Sequence, residues 1–136
     1  MHFQAFNTYE DMMSEVERAR DEADGQVQPW QAVLAPGDFF IRIWSGLVIY
    51  GEILDPAVPQ FPGDYSDEAL SEIRREARIY EQPEMRGYRF TRCYSVACPE
   101  GEFGDTHVSS MTRKITREQF EQARASGWPE APWPRR

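Results

Sequence analysis

The chain has 136 residues, of which 40% are hydrophobic, 13% aromatic and 28% charged, and its net charge is -8. That length suits one ordinary domain, and that composition supplies a sizeable core and excludes a chain that is disordered throughout. No window approaches the roughly 20 apolar residues of a bilayer span, and no basic start precedes an apolar run, so the expectation is a cytoplasmic protein without a membrane segment or secretion signal.

The charge is unevenly divided. Residues 1–68 hold 13 acids and 3 bases, whereas residues 69–136 hold 10 acids and 12 bases. An acidic front repels nucleic acid and is suited to dock on a basic partner. Fourteen of the 15 bases are Arg, a bias that GC-rich coding explains as readily as Arg-specific contacts do.

The first element expected is a helix from about Thr8 to Asp24, because Tyr9, Met12, Val16, Ala19 and Ala23 recur at helical spacing. Thr8 and Asp11 form a capping pair at its start and Gly25 ends it. Its other face carries Glu10, Asp11, Glu15, Glu17, Asp21, Glu22 and Asp24 against Arg18 and Arg20 only. A loop with Pro29, Trp30 and Pro36 follows. The runs Phe39 to Trp44 and Leu47 to Leu54, joined through Ser45 and Gly46, predict a β-hairpin. Hydrophobic residues on both faces, with Arg42 the main exception, make these central strands.

The segment from Asp55 to Ser66 holds three prolines and a glycine and predicts a stiff surface loop pinned by Phe61 and Tyr65. Ser66 caps a second helix to about Glu81, with Leu70, Ile73, Ala77 and Tyr80 as its stripe. Arg74, Arg75 and Arg78 alternate there with Glu72 and Glu76, which makes its exposed face mixed. Tyr88 to Cys98 alternates as a strand with one mainly aromatic face, and a turn over Pro99 to Gly104 leads to a strand from about Asp105 to Lys114. Thr116 and Gln119 make a capping box, and Ile115 with Phe120 a hydrophobic staple, for a last helix ending at Gly127. The prolines at 129, 132 and 134 predict an extended tail over residues 129–136, after a single domain over residues 1–128.

No catalytic motif emerges. Cys98 and His107 would face each other if the strands flanking the 99–105 turn paired suitably, but no third orienting group is identifiable, and local packing explains both residues more simply. Five positions apart on a strand, Cys93 and Cys98 project to opposite faces, which disfavours a disulfide. The spacing C-x4-C with one downstream His falls short of a zinc site, and Glu100, Glu102 and Asp105 do not match a calcium loop. No metal or cofactor is expected. Tyr88, Phe90 and Tyr94 interleaved with Arg89 and Arg92 imitate a base-stacking strand, yet the net charge opposes phosphate and a packed sheet face is the simpler reading.

These patterns predict an α+β fold in the order α-β-β-α-β-β-α, with helices against a four-stranded antiparallel sheet. The functional expectation is a non-enzymatic protein-binding module. Its acidic face would comprise the helix carboxylates Glu10, Asp11, Glu15, Glu17, Asp21, Glu22 and Asp24, together with Asp55, Asp64 and Asp67, and would engage a basic protein surface rather than nucleic acid or membrane. Small acidic inhibitors of nucleic-acid-handling complexes, such as phage anti-defence and anti-CRISPR proteins, offer an analogy of charge and size alone. Two alternatives stay open: a small enzyme or ligand-binding protein with a pocket near Cys98 and His107, and a subunit of a larger assembly using Trp44 or Trp133 as apolar contacts.

Overall fold

In the computed structural model, which describes residues 5–8, 10–15, 27–44, 46–55 and 66–130, the two aromatic and β-branched runs form β1, Phe39–Trp44, and β2, Leu47–Ile53. They pair antiparallel with Phe39 opposite Glu52 and Trp44 opposite Leu47, turning through Gly46 at φ +79°. The alternating run that follows forms β3, Tyr88–Tyr94, and then come β4, Glu102–His107, and β5, Arg113–Ile115. The result is one five-stranded antiparallel sheet in the order β4-β3-β2-β1-β5. β1 and β2 occupy its interior, as their two-sided hydrophobicity predicts.

The fifth strand corrects the expectation of four. The stretch from Asp105 to Lys114 does not run as one strand, because it turns after His107 into a 3₁₀ turn, Val108–Ser110. There His107 Nδ1 accepts the Ser109 N–H at 3.2 Å. Val108 and Met111 are buried, so the break is held by packing as well as by the cap. β4 and β5 then lie at opposite edges of the sheet, roughly 19 Å apart were it flat. The six steps from His107 to Arg113 reach only about 20 Å when fully extended, and a 3₁₀ turn uses part of that. The sheet therefore curls, drawing its edges together.

Inside the curl, Phe40 of β1, Ile53 of β2 and Cys93 of β3 pack with Leu34, Val108 and Met111. Gly51 makes room for this cluster: a Cβ there would lie 2.0 Å from Phe40 Cζ, so the ring of its cross-strand partner rests on bare backbone. Thr91 and Thr106 satisfy each other at 2.9 Å between hydroxyls. The expected loop around Pro29 is one helical turn, α2, Pro29–Ala32, opened by a proline that fits the first helical position. Its buried Gln31 fastens the crossover by donating to Met111 O at 3.0 Å and Ser109 O at 3.3 Å.

Helices cover the opposite, convex face. Residues 10–15 are helical and are called α1; Thr8 Oγ1 accepts the Asp11 N–H at 3.0 Å, which is the expected cap. Tyr9, Val16, Ala19 and Ala23 of the expected stripe lie outside the described residues. The second helix, α3, Asp67–Ala77, is capped by Ser66 as expected but gives way to a 3₁₀ turn, Arg78–Glu81. The last helix, α4, Arg117–Ala125, carries the complete capping box, with Thr116 and Gln119 exchanging bonds of 2.9 and 3.0 Å.

The C-terminus of α4 is a Schellman motif, in which Gly127 N–H donates to Arg124 O at 3.2 Å and Trp128 N–H to Ala123 O at 2.8 Å. Trp128 follows at φ 62°, a left-handed conformation that costs a non-glycine residue about 1–2 kcal/mol. Burial offsets that cost: the indole is 2% exposed, stacks on Tyr94 at 4.6 Å and donates to Pro99 O at 3.2 Å. The chain stays attached one step further, since the Tyr50 hydroxyl donates to Pro129 O. Trp133 lies outside the described residues.

Candidate functional site

The convex face carries two caps with different contents. Over β5, β1 and β2, the residues Ala5, Phe6 and Met12 join Phe39, Ile41, Val48, Tyr50, Tyr94, Phe120, Ala123 and Trp128 in one sealed cluster. Over β3 and β4, α3 and its 3₁₀ turn place half-buried Ile73 and Tyr80 against Leu54, Phe90 and Phe103. Burial, with help from the Asp105 and Glu76 carboxylates, pushes the Tyr80 phenol up to about 12.

Three of the expected acidic residues belong to the first cap. Met12 anchors α1 in the core, and Glu10 and Asp11 stand exposed on it. Glu15, one turn on from Asp11, is only half-exposed. Between this helix and β5 lies an open cleft of about 480 Å³ lined by Ala5, Phe6, Asn7, Asp11, Ser14, Glu15 and Arg113. Arg113 forms one wall, its guanidinium donating to Ala5 O and lying 4.7 Å from the Phe6 ring centre. Burial lowers the pKa of Arg113, while the charge of Glu15 acts in the opposite sense. Glu15 thus shares this cleft with a base from the C-terminal half, and Glu10 and Asp11 form the outward part of the described acidic face.

Asp55 and Asp67 are exposed but belong to the other cap, next to Leu54 and at the start of α3. Glu17, Asp21, Glu22, Asp24 and Asp64 lie outside the described residues, as does the Trp44 side chain. Apolar surface occurs elsewhere, on and beside α2, where Val27, Trp30 and Val33 are 39%, 37% and 75% exposed.

The proposed meeting of Cys98 and His107 is overturned by the strand register. β3 and β4 pair with Cys93 opposite Glu102 and Tyr88 opposite His107. Cys98 therefore sits in the connecting loop, and His107 lies at the far end of the hairpin, about 17 Å of strand away. Each has local work: Cys98 N–H donates to Ser95 Oγ at 3.2 Å, and the His107 ring packs edge-on to Tyr88 at 4.8 Å. Both cysteines are free thiols, and burial raises the pKa of Cys93.

A charged pair that the sequence reading missed, Glu52 and Arg92, lies side by side on the strands between the two caps. The register aligns Ile115, Phe39, Glu52, Arg92 and Phe103 across all five strands on the convex face. Burial raises the pKa of Glu52; Arg124, Arg92 and Arg117 pull it down, and Glu121 pushes it up. The signal for this row was present as a lone acid inside an apolar strand, but only the cross-strand register shows what it faces.

Among the described residues, no group of three His, Cys, Asp or Glu side chains is placed to hold a metal ion, and no helix is long and apolar enough to cross a membrane. No protein-family model, curated protein or solved structure matches the chain.

Proposed function

We propose that this protein is a small acidic protein-binding module that docks on a basic surface of another protein through its N-terminal face. The observation that carries this reading is the exposure of Glu10 and Asp11 on a helix whose other side, through Met12, is fixed in the sealed core. A base packed into the core through Met12 orders the carboxylates before binding, which lowers the ordering cost of association. The acidic sequence continues through Glu17, Asp21, Glu22 and Asp24, so the potential along this stretch is strongly negative. A groove built for phosphate presents the complementary charge. An inhibitor of a nucleic-acid-handling complex, of the anti-defence or anti-CRISPR type, fits this chemistry by charge and size.

Affinity capture from the native host tests the reading. Wild type is expected to retain a basic partner in a salt-sensitive manner, and Glu10→Lys with Asp11→Lys to release it while the fold remains intact. Capture of the same partner at undiminished yield by the reversed variant would refute it. Charge reversal near a helix N-terminus costs about 0.3–1 kcal/mol, so thermal unfolding of the variant serves as the control for folding.

A further inference from the structure

The turn between β4 and β5 sets a serine hydroxyl against an imidazole. Nδ1 of His107 accepts the Ser109 N–H at 3.2 Å and lies 2.8 Å from Ser109 Oγ. An amide N–H only donates, so Nδ1 is the unprotonated nitrogen and the neutral ring carries its proton on Nε2. The Ser109 hydroxyl is then the donor of the shorter contact, its proton aimed at the Nδ1 lone pair. That is the arrangement by which a base activates a hydroxyl nucleophile.

The ring and the backbone around this pair are held on several sides. The imidazole stands edge-on to Tyr88 at 4.8 Å, and its Nε2 rests against Gly87, where a Cβ would come within 2.3 Å. Val108 N–H donates to Gly87 O at 2.9 Å, and the Ser110 hydroxyl to His107 O at 2.8 Å. Gln31 donates to Ser109 O at 3.3 Å, which makes α2 the element next to the serine. On and beside α2 lie the exposed apolar residues Val27, Trp30 and Val33. Ser109 is itself half-buried, so solvent reaches it.

We propose that Ser109 is a nucleophile, activated by His107, that takes an acyl group from a neutral, apolar ester. Ser109 Oγ attacks the carbonyl carbon and its proton passes to Nδ1. The bond from that carbon to the leaving oxygen then breaks, and the leaving oxygen takes the proton from Nδ1, giving acyl-Ser109 and a free alcohol. Once protonated, Nδ1 no longer accepts the Ser109 N–H, which is released to the oxyanion as it forms; a nucleophilic serine's own N–H has that role in serine proteases. The net charge of -8 disfavours an anionic substrate, and the apolar surface of α2 suits an apolar acyl chain. This chemistry is separate from the docking proposed for α1 and does not depend on it.

Reaction of the full chain with p-nitrophenyl butyrate, followed by acid quench and peptide mapping, tests this assignment. Wild type is expected to release nitrophenolate and to carry a butyryl group on Ser109, and Ser109→Ala to lose that release. His107→Asn keeps an acceptor for the Ser109 N–H but supplies no base. It should fold as wild type does and react about a hundredfold more slowly. The butyryl ester, compared with the acetyl ester, should be favoured more strongly by the protein than by free imidazole. Label confined to Cys98, to Lys114 or to the N-terminus, with Ser109 unmodified, would overturn the proposal without any variant. Reaction of Ser109→Ala or of folded His107→Asn at the wild-type rate would overturn it as well, and a butyryl preference no greater than that of imidazole would overturn the choice of acyl group.

Discussion

The two caps share one sheet face but hold it differently. The N-terminal and α4 cap is closed by Met12, Phe120 and Trp128, exposed by 0%, 0% and 2%. The α3 cap rests on half-buried Ile73 and Tyr80. Their helices differ in charge as well: α1 presents Glu10 and Asp11 outward, whereas α3 alternates Arg74, Arg75 and Arg78 with Glu72 and Glu76, and α4 mixes Arg117 and Arg124 with Glu118 and Glu121. The like-signed face of α1 thus sits on the more deeply buried of the two caps. A docking surface gains from a well-packed base, since ordering a loose helix at the moment of binding would cost affinity.

Truncating Trp128 should break the contrast most directly. Trp128→Ala is expected to cost about 3–5 kcal/mol in denaturant unfolding, whereas Ile73→Ala, at a half-buried site, should fall below the ~2–5 kcal/mol range of fully buried truncations. Equal losses would mean that the caps are equally sealed. Gly51→Ala tests the concave side, where the new methyl group meets the Phe40 ring. It should cost about 1–3 kcal/mol by overpacking, and a neutral result would show that the ring moves aside easily. Thr116→Ala removes the α4 cap and should cost about 1 kcal/mol.

The smallest effect concerns the row between the caps. Glu52→Gln should unfold at a higher temperature than wild type at neutral pH, and the difference should close as pH falls below the usual glutamate range, where both side chains are neutral. A difference that persists in acid would assign the effect to packing.

Local signals made much of this architecture legible in the sequence. The hairpin expected over Phe39 to Leu54, which ends one residue sooner at Ile53, the Thr116–Gln119 capping box and the Ser66 cap each rest on residues a few positions apart, and each formed. The split between β4 and β5 was not legible, because the residues that break the strand, Val108 and Met111, look like strand residues until Phe40, Ile53 and Cys93 give them a cluster to enter. Register was the other hidden quantity. It separated Cys98 from His107, and it placed Glu52 beside Arg92, 40 positions away in the sequence. On the acidic face, Glu10 and Asp11 were readable as exposed from helical spacing, but the placing of Glu15 and Arg113 in one cleft is a tertiary fact.

The central claim is that the α1 carboxylates, and not negative charge in general, engage the partner. Parallel charge reversals test it: Glu10→Lys with Asp11→Lys on the first cap, and Glu68→Lys with Glu72→Lys on the second, each measured for affinity to the captured partner at fixed salt. The account predicts that binding collapses in the first variant and stays close to wild type in the second. Equal loss in both, or loss confined to the α3 variant, would contradict it.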